Sequence, residues 1–146
     1  MKTYQPTAKE VKREWQLVDA KDQTLGRLST KVANFLMGKG KTTFSTHMDM
    51  GDYVVVLNSE KVAVSGNKSS QKVYRSHSGY PGGFKEVSFG RMLEKAPERI
   101  VRHAVSGMLP DNRLKAKRLK RLILVVGDKN PYQSKFEAVK KEVTEK

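Results

Sequence analysis

The feature that most constrains the fold is an unbroken run of mostly β-branched apolar residues, Tyr53–Leu57 (YVVVL). Such residues favour strands, and a strand with one face in water would alternate apolar and polar side chains. A run without alternation is typical of a strand buried on both faces, as in a parallel sheet covered by helices. Leu122–Val126 has the same character, and Trp15–Val18 is a third strand candidate. We therefore expect an α/β fold.

The segments around these strands have helical periodicity. Thr24 is a candidate N-cap for a helix whose apolar residues recur three and four apart, and the sequence Gly38-Lys39-Gly40 ends it. Ser88 is a candidate cap for a short helix up to Lys95, and Pro97 suits the first turn of another helix. A strand, a helix, a loop and a second buried strand in this order predict a βαβ unit.

A glycine-rich loop in the middle of the chain predicts a β-hairpin. Two strand-like segments, residues 72–75 and 84–87, flank Gly79-Tyr80-Pro81-Gly82-Gly83. Adjacent glycines allow backbone angles or close approaches that other residues cannot adopt. Tyr80 offers a ring that can stack on a base.

A chain of 146 residues suits a single domain with terminal extensions. We expect an N-terminal arm over residues 1–14, one α/β domain over residues 15–128 and a C-terminal tail over residues 129–146. Charges alternate in residues 133–146, which predicts either a frayed helix or disorder.

The charge balance indicates a polyanionic partner. Lys and Arg number 29 against 15 Asp and Glu, so the formal net charge is +14. A compact domain with this excess repels itself, whereas binding to nucleic acid releases condensed counterions. A membrane partner fits less well, because no basic amphipathic helix stands apart from the core pattern and no apolar run is long enough to span a bilayer. The absence of cysteine and of a signal-peptide pattern leads us to expect a cytoplasmic location.

The strongest local signal is the segment Arg113–Arg121, which has six basic residues in nine and no acid. On a helix, four of them share one face that fits a phosphate-lined groove: Arg113, Lys117, Lys120 and Arg121. The other two, Lys115 and Arg118, fall near apolar leucines, so either their stems lie over those neighbours or the helix is irregular. A solvated basic face is the alternative, and the density of like charge favours RNA binding.

A second, diffuse set of basic and aromatic residues is spread over helix faces, loops and the hairpin. Cations bind phosphates, while rings can stack on unpaired bases. Singly each is an ordinary surface residue, but jointly they predict a wide RNA-facing surface. The candidate RNA-binding residues in this set are Arg27, Lys39, Lys41, His47, Lys68, Lys72, Arg75, His77 and Tyr80. The same diffuse set also includes Lys31, Tyr74 and Lys85.

Three patterns suggest other chemistry and are weaker. Gly40-Lys41-Thr42 ends like a phosphate-binding loop, but it follows a helix instead of joining a strand to a helix. His47-x-Asp49-x-x-Asp52 holds ligand-type residues without a recognised metal spacing. The hydroxyls and histidines lack a nucleophile-elbow pattern. We therefore expect no enzyme activity, no cofactor, no metal and no small-molecule substrate.

A series of motifs in fixed order resembles one protein family over about residues 10–132. They are Trp15-x-x-x-Asp19-Ala20, Thr24-Leu25-Gly26-Arg27-Leu28, His47-x-Asp49-x-Gly51-Asp52-Tyr53, His77-Ser78-Gly79-Tyr80-Pro81-Gly82-Gly83 and Ala104-Val105-x-Gly107-Met108-Leu109-Pro110. Each motif alone is weak, but their order and spacing along one chain are specific. The chain resembles the bacterial-type large-subunit ribosomal protein L-thirteen family.

This resemblance implies a three-layer α/β/α fold around a four-stranded, mainly parallel sheet, with the hairpin and basic extensions added. It also implies binding to large-subunit ribosomal RNA, an early role in subunit assembly and neighbouring ribosomal proteins as partners. The chain departs from the family at Lys115-Ala116, where Gly-Arg is usual, at Asn130-Pro131-Tyr132, where His-Pro-His is usual, and at Thr46, where proline is usual. A DNA-binding architectural protein and a phosphate-handling enzyme are the alternative functions.

Overall fold

Two sheets and five helices make up the part of the chain that the structure describes. The computed structural model describes residues 4–136. The strands are β1 (Trp15–Asp19), β2 (Tyr53–Leu57), β3 (Val73–His77), β4 (Phe84–Ser88) and β5 (Leu122–Leu124). The helices are α1 (Leu25–Met37), α2 (Lys68–Gln71), α3 (Phe89–Lys95), α4 (Pro97–Met108) and α5 (Leu114–Lys120). Short 3₁₀ turns cover Ala8–Glu10 and Ser59–Lys61, and a last helical turn covers residues 133–136.

Strands β1, β2 and β5 form a parallel sheet with β2 in the centre. β1 pairs with β2 from Trp15 opposite Tyr53, and β5 pairs with β2 from Val54 opposite Leu122. The three valines of β2 are fully buried. The predicted strand buried on both faces is thus confirmed, and α1 supplies the crossover that parallel neighbours require.

The parallel sheet is smaller than the sequence led us to expect. Within residues 4–136 it has three strands instead of four, and β5 ends at Leu124 instead of Val126. The chain turns at Gly127, whose φ is +89°, and the Val126 side chain is half exposed. An isolated parallel bridge between Thr24 and Ala63 lies outside the named strands. The observed fold is therefore a mixed α/β fold with a parallel sheet and an antiparallel pair.

One buried cluster joins the sheet to α1 and α4. Leu28, Val32 and Leu36 of α1 belong to it together with Ile100 and Val105 of α4 and valines of the sheet. The α1 side chains are four residues apart, and in α4 Val101 of the same cluster is four residues before Val105, so each helix turns one apolar stripe inward. Full burial of one such side chain stabilises the fold by about 1.5–3 kcal/mol. Because the apolar stripe of each helix is buried in the core, the side chains on the opposite face point to solvent.

The ends of α1 agree with the sequence signals. Thr24 occupies the N-cap position with extended backbone, although its side chain makes no capping hydrogen bond. Gly38 ends the helix at φ +76° and donates its N–H to the carbonyls of Asn34 and Phe35. A Cβ on Gly38 would lie 2.7 Å from the carbonyl oxygen of Met50, so this glycine also lets the 38–52 loop return against the helix end.

An aromatic cluster lies where β1 and β2 begin and where the chain returns after β5. Trp15 stacks on Tyr53 with ring centroids 4.6 Å apart and on Tyr132 at 5.5 Å. Phe136 meets the Trp15 ring edge-on at 6.0 Å. The start of the predicted C-terminal tail thus packs against the sheet. The part of that prediction concerning residues 137–146 lies outside the described residues.

The predicted hairpin is confirmed as the antiparallel pair β3–β4. Val73 lies opposite Ser88, and His77 lies opposite Phe84 at the end next to the loop. Gly82, at φ +72°, has the positive φ that this turn needs. An isolated two-stranded ribbon is only marginally stable in water, so contacts with the rest of the domain are needed to keep it in place.

Candidate nucleic-acid interface

Most of the basic and aromatic residues that the sequence singled out lie at the surface. The exposed ones are Arg27, Lys39, His47, Lys68, Arg75, His77, Tyr80, Arg113, Lys117 and Lys120. Three more are partly buried, namely Lys41, Lys72 and Lys115, and two are buried, namely Arg118 and Arg121.

Four cations come together beside the start of α1, and we call them the α1–α2 surface. Arg27 and Lys31, one helical turn apart on α1, line one hollow together with Lys68 at the start of α2. An adjoining hollow is lined by Lys68 and Lys72. The other side chains that line both hollows are neutral. The sequence analysis placed all four residues in one diffuse surface, and the fold brings them together from segments about forty residues apart.

The exposed basic residues of α5 form a second patch, which we call the α5 surface. It consists of Arg113, Lys117 and Lys120. Lys115, which the sequence placed near the leucines, bonds through its Nζ to the exposed carboxylate of Asp111 at 2.5 Å, four residues earlier. A pair of this kind is worth only a few tenths of a kcal/mol, so Lys115 keeps most of its capacity to bind phosphate.

The predictions for Arg118 and Arg121 need correction, because both side chains lie inside the domain. Arg121 donates two hydrogen bonds to the carboxylate of Asp49, at 2.5 and 2.6 Å. Arg118 lies 3.7 Å from the same carboxylate, and Arg13 lies 3.8 Å from it. The apolar burial of Leu122 next to Arg121 turns this end of the helix inward. These arginines therefore tie α5 to the 38–52 loop and do not form the outer basic face.

Three arginines around one carboxylate decide its ionisation. Burial alone would raise the pKa of Asp49, but the hydrogen bonds and the charge of Arg121 outweigh burial. Arg13 and Arg118 add to this effect, and the pKa of Asp49 is lowered overall. Asp49 is thus an anion that holds the group together, and the group carries an excess of positive charge.

Lys41 is also more internal than the sequence suggested. Its Nζ donates to a carboxylate oxygen of Asp52 at 2.5 Å and to the carbonyl oxygen of Lys12 at 2.6 Å. Asp52 in turn accepts the backbone N–H of Glu14. Lys41 is therefore a structural tie between the 38–52 loop and the residues before β1, and we withdraw it as a predicted phosphate contact. Its segment follows α1 and precedes β2, so the strand–loop–helix context of a nucleotide site is absent here.

The motif at residues 47–52 stabilises the packing of the 38–52 loop against the domain. A Cβ on Gly51 would lie 1.7 Å from the carbonyl oxygen of Leu36, so only glycine fits. Asp49 and Asp52 hold cations, and the exposed His47 shares a hydrogen bond with Ser45 at 3.0 Å. Among residues 4–136 no group of three side chains is placed to hold a metal ion. The carboxylates of the motif are occupied by Arg121 and Lys41.

The hairpin presents rings and cations to solvent. The Tyr80 side chain at its tip is 77% exposed, and His77 accepts a hydrogen bond from the N–H of Gly79. Arg75 pairs with Glu86 across the strands at 2.8 Å, with both side chains largely in solvent. An exposed pair of this kind contributes at most about 1 kcal/mol, so Arg75 can exchange Glu86 for a phosphate at little cost.

A third basic patch was predicted only at Lys85, and we call it the α3–α4 surface. Lys85, Arg91, Lys95 and Arg99 line one hollow between β4, α3 and the start of α4, together with Glu86. The signal was present in the sequence, since Arg91, Lys95 and Arg99 recur four residues apart. It was overlooked because Pro97 divides the pattern between two helices, and the short α3 gives little periodicity to read.

Comparison with known proteins identifies the family. The family model described as "Ribosomal protein L13" matches residues 13–131. The chain belongs to this family. "Large ribosomal subunit protein uL13" of Roseiflexus sp. (strain RS-1) is 52% identical over 132 residues, covering 90% of this chain and 90% of the relative. The protein of the same name from Clostridioides difficile (strain 630) is 51% identical over 127 residues, covering 87% of this chain and 89% of the relative.

A third relative, "Large ribosomal subunit protein uL13" of Prochlorococcus marinus (strain MIT 9312), is 51% identical over 131 residues, which cover 90% of this chain and 92% of the relative. The resemblance inferred from the motif series is confirmed. The family is one of structural ribosomal proteins, which agrees with the expectation that the chain is not an enzyme. Among the described residues, no helix is long and apolar enough to cross a membrane.

Proposed function

We propose that this chain is a structural constituent of the large ribosomal subunit that binds large-subunit ribosomal RNA and helps the early assembly of the subunit. The names of its relatives support the first part of the proposal. The distribution of charge supports the second part, because cations are exposed on several different elements of one rigid α/β core. The proposed setting is the cytoplasmic ribosome, with other large-subunit proteins as neighbours.

The observation that carries the proposal is a contrast in exposure. The cations of the α1–α2 and α5 surfaces point into solvent, whereas the carboxylates of Asp49 and Asp52 bind the cations of Arg121 and Lys41 inside the domain. Surfaces of this kind attract phosphates and release the counterions condensed on RNA. Positive charge on separate surfaces lowers the repulsion between RNA helices that meet at the protein.

The recognition we propose is mainly of shape and backbone. The deep, narrow major groove of an RNA duplex hides its base edges, so phosphates and 2′-hydroxyls are what a rigid basic surface can contact. The exposed residues predicted from sequence, Lys31 among them, would supply these contacts, joined by Arg91, Lys95 and Arg99. The predicted N-terminal arm, single domain and C-terminal tail, and a three-layer arrangement around the parallel sheet, remain parts of this proposal.

The experiment is a filter-binding titration of large-subunit RNA at several salt concentrations. Lys117→Glu with Lys120→Glu should weaken binding and make the salt dependence shallower, by about 0.9 in the log–log slope for each duplex phosphate that the protein no longer neutralises. Because both side chains are exposed, thermal unfolding should hardly change. The matched control is Lys9→Glu with Lys129→Glu, which makes the same charge change at two exposed lysines outside α5.

Three results would contradict the proposal. They are a wild-type slope near zero, equal weakening in the α5 variant and its control, and retention of DNA competitors as strong as that of ribosomal RNA. The third result would favour the DNA-binding alternative. Phosphate release from ATP or GTP above that of a mutant blank would revive the enzyme alternative.

A further inference from the structure

A hollow of about 410 Å³ lies between the end of α1, the 38–52 loop and the segment that joins α4 to α5. It is distinct from the three basic surfaces because its lining is mixed. Phe44, Met108 and Pro110 are among its apolar residues, and Lys39, Asn112 and Arg118 are among its polar ones. The hollow therefore combines an apolar surface with positive charge. A ligand that fits it needs both an apolar group and an anionic group.

The charge of Arg118 is only partly compensated. Its side chain is 3% exposed, and its Nε is buried without a hydrogen-bond partner. The carboxylate of Asp49 lies 3.7 Å from this Nε and is taken by the two shorter bonds from Arg121. A buried donor without a partner costs about 1–3 kcal/mol, so Asp49 compensates this guanidinium only weakly. Arg118 also lines the hollow, so an anion bound there adds to that compensation through the charge of the guanidinium.

Two further groups in the hollow suit an anion. Lys39 is exposed next to the end of α1. Asn112 uses its side-chain oxygen to accept the N–H of Leu114 at 3.1 Å, which leaves its amide hydrogens as donors. Together with Arg118, these side chains offer a phosphate two positive charges and additional N–H donors.

The apolar lining calls for more than an anion. Phe44 packs against the core cluster and also lines the hollow, and the Met108 side chain is 40% exposed. RNA-binding proteins hold unpaired bases by stacking them on aromatic side chains, whereas paired bases are not available for this contact. We infer that the hollow binds one unpaired nucleotide, whose base contacts Phe44 and Met108 and whose phosphate contacts Lys39 and Arg118.

The position of the hollow supports this inference. Met108 also lines both hollows of the α1–α2 surface, and its sulfur lies 3.3 Å from the Thr30 hydroxyl on α1. A strand whose phosphates follow Arg27 and Lys31 therefore reaches the hollow over Met108 without crossing an acidic side chain of either lining. The inference rests on the proposed function, since it assigns to the same RNA partner a single-stranded contact beside the duplex contacts.

The test is methyl NMR of the full-length protein labelled at its methionines. The probes are single-stranded oligo(A) and oligo(U), a blunt-ended RNA duplex, and inorganic phosphate. We expect the methyl signals of Met37 and Met108, which line the hollow, to shift with single-stranded RNA. The signal of Met50, which is buried outside the hollow, is the internal reference and should stay in place.

Two pairs of variants separate the base contact from the phosphate contact. Phe44→Leu should weaken oligonucleotide binding about fivefold to hundredfold, the usual range for one base stacked on an aromatic ring. Its matched control is Phe35→Leu, because Phe35 also packs against the core cluster but does not line the hollow. Lys39→Gln should lower the salt dependence of binding, whereas Lys9→Gln should not. Circular dichroism checks that every variant is folded.

Each outcome of these experiments either supports the inference or contradicts it. Shifts of Met37 and Met108 that appear with single strands and are abolished in Phe44→Leu support the inference. Equal shifts with the duplex, or with inorganic phosphate alone, would overturn it in favour of a backbone or anion site. Binding of RNA without any shift at these methionines would also overturn it and leave the proposed function intact. Failure of the wild-type protein to bind large-subunit RNA at low salt would instead remove the proposed function itself.

Discussion

The end of α5 and the β3–β4 hairpin both pair an arginine with an acidic residue, yet the two pairs differ in burial. The Arg121 and Asp49 side chains are 8% and 11% exposed, whereas those of Arg75 and Glu86 are 69% and 44% exposed. In the interior, losing one partner leaves a charge without water or a counterion. In solvent, water replaces the partner at almost no cost. The comparison teaches that burial separates the basic residues that hold the fold from those free to bind RNA.

Removing the charge of Asp49 should have the largest effect. Asp49→Asn keeps the shape of the side chain but leaves the buried guanidiniums of Arg118 and Arg121 without their anion. We expect a loss of about 3–5 kcal/mol in the free energy of unfolding, the range for breaking a buried ion pair. Chemical denaturation followed by circular dichroism measures it. Asp111→Asn, at an exposed carboxylate paired with Lys115, is the control and should cost under about 1 kcal/mol. Equal losses in the two variants would contradict the comparison.

Adding one methyl group at Gly51 should have the next largest effect. The new Cβ would meet the carbonyl oxygen of Leu36, a backbone atom that cannot move aside alone. Gly51→Ala should therefore destabilise the domain by about 1–3 kcal/mol, the usual cost of overpacking. Gly26→Ala is the matched control, because nothing lies within 4 Å of the Cβ it would add. A Gly51→Ala protein as stable as the control would show that the loop does not pack as described.

The ionisation of Asp49 predicts a pH dependence of stability. Its pKa is lowered in the folded protein, so its contribution is fully present above the unfolded value of about 3.9 and is lost as the pH falls through the folded pKa. Wild type should therefore lose stability relative to Asp49→Asn in that acidic window and keep a constant difference at neutral pH. Paired denaturation curves across this window measure the difference. A difference that stays constant throughout that acidic window would mean that Asp49 is not held as an anion.

Breaking the hairpin pair should have the smallest effect. Glu86→Gln removes the partner of Arg75 at the surface, so we expect a loss under about 1 kcal/mol in the free energy of unfolding. Under the proposed function, RNA binding should be unchanged or slightly tighter, because Arg75 no longer has a competing acid. The same denaturation and filter-binding measurements apply. A loss comparable to that of Asp49→Asn would show that exposure does not distinguish the two pairs.

Much of the framework followed from local patterns in the sequence. The Tyr53–Leu57 run predicted a buried strand because neither of its faces suits water, and α1 and α4 followed from apolar side chains three and four residues apart. The prediction for Leu122–Val126 was too long, since apolar character alone did not show that the chain turns at Gly127. Apart from Lys85, the cations of the α3–α4 surface were overlooked because they are divided between two helices, one of them short.

The basic segment 113–121 shows the limit of this approach. Sequence spacing placed Arg121 on an outer face with Lys117 and Lys120, although its guanidinium is bound to a carboxylate seventy-two residues earlier in the chain. A helical pattern gives the relative directions of side chains but not which direction meets the core. The inward direction of the Arg121 side chain depends on Asp49, which is distant in the sequence.

By itself the sequence determined the family, the excess of positive charge, the central buried strand and the ends of α1. Each of these depends on composition, on the order of motifs, or on contacts between residues close together in the chain. Only the tertiary structure decided which cations remain free. That depends on Asp49, Asp52 and Gly51, whose partners Arg121, Lys41 and Leu36 lie one or more helix or loop lengths away along the chain. Long-range contacts of this kind leave no periodic signal in the sequence, because each involves a single residue at either end.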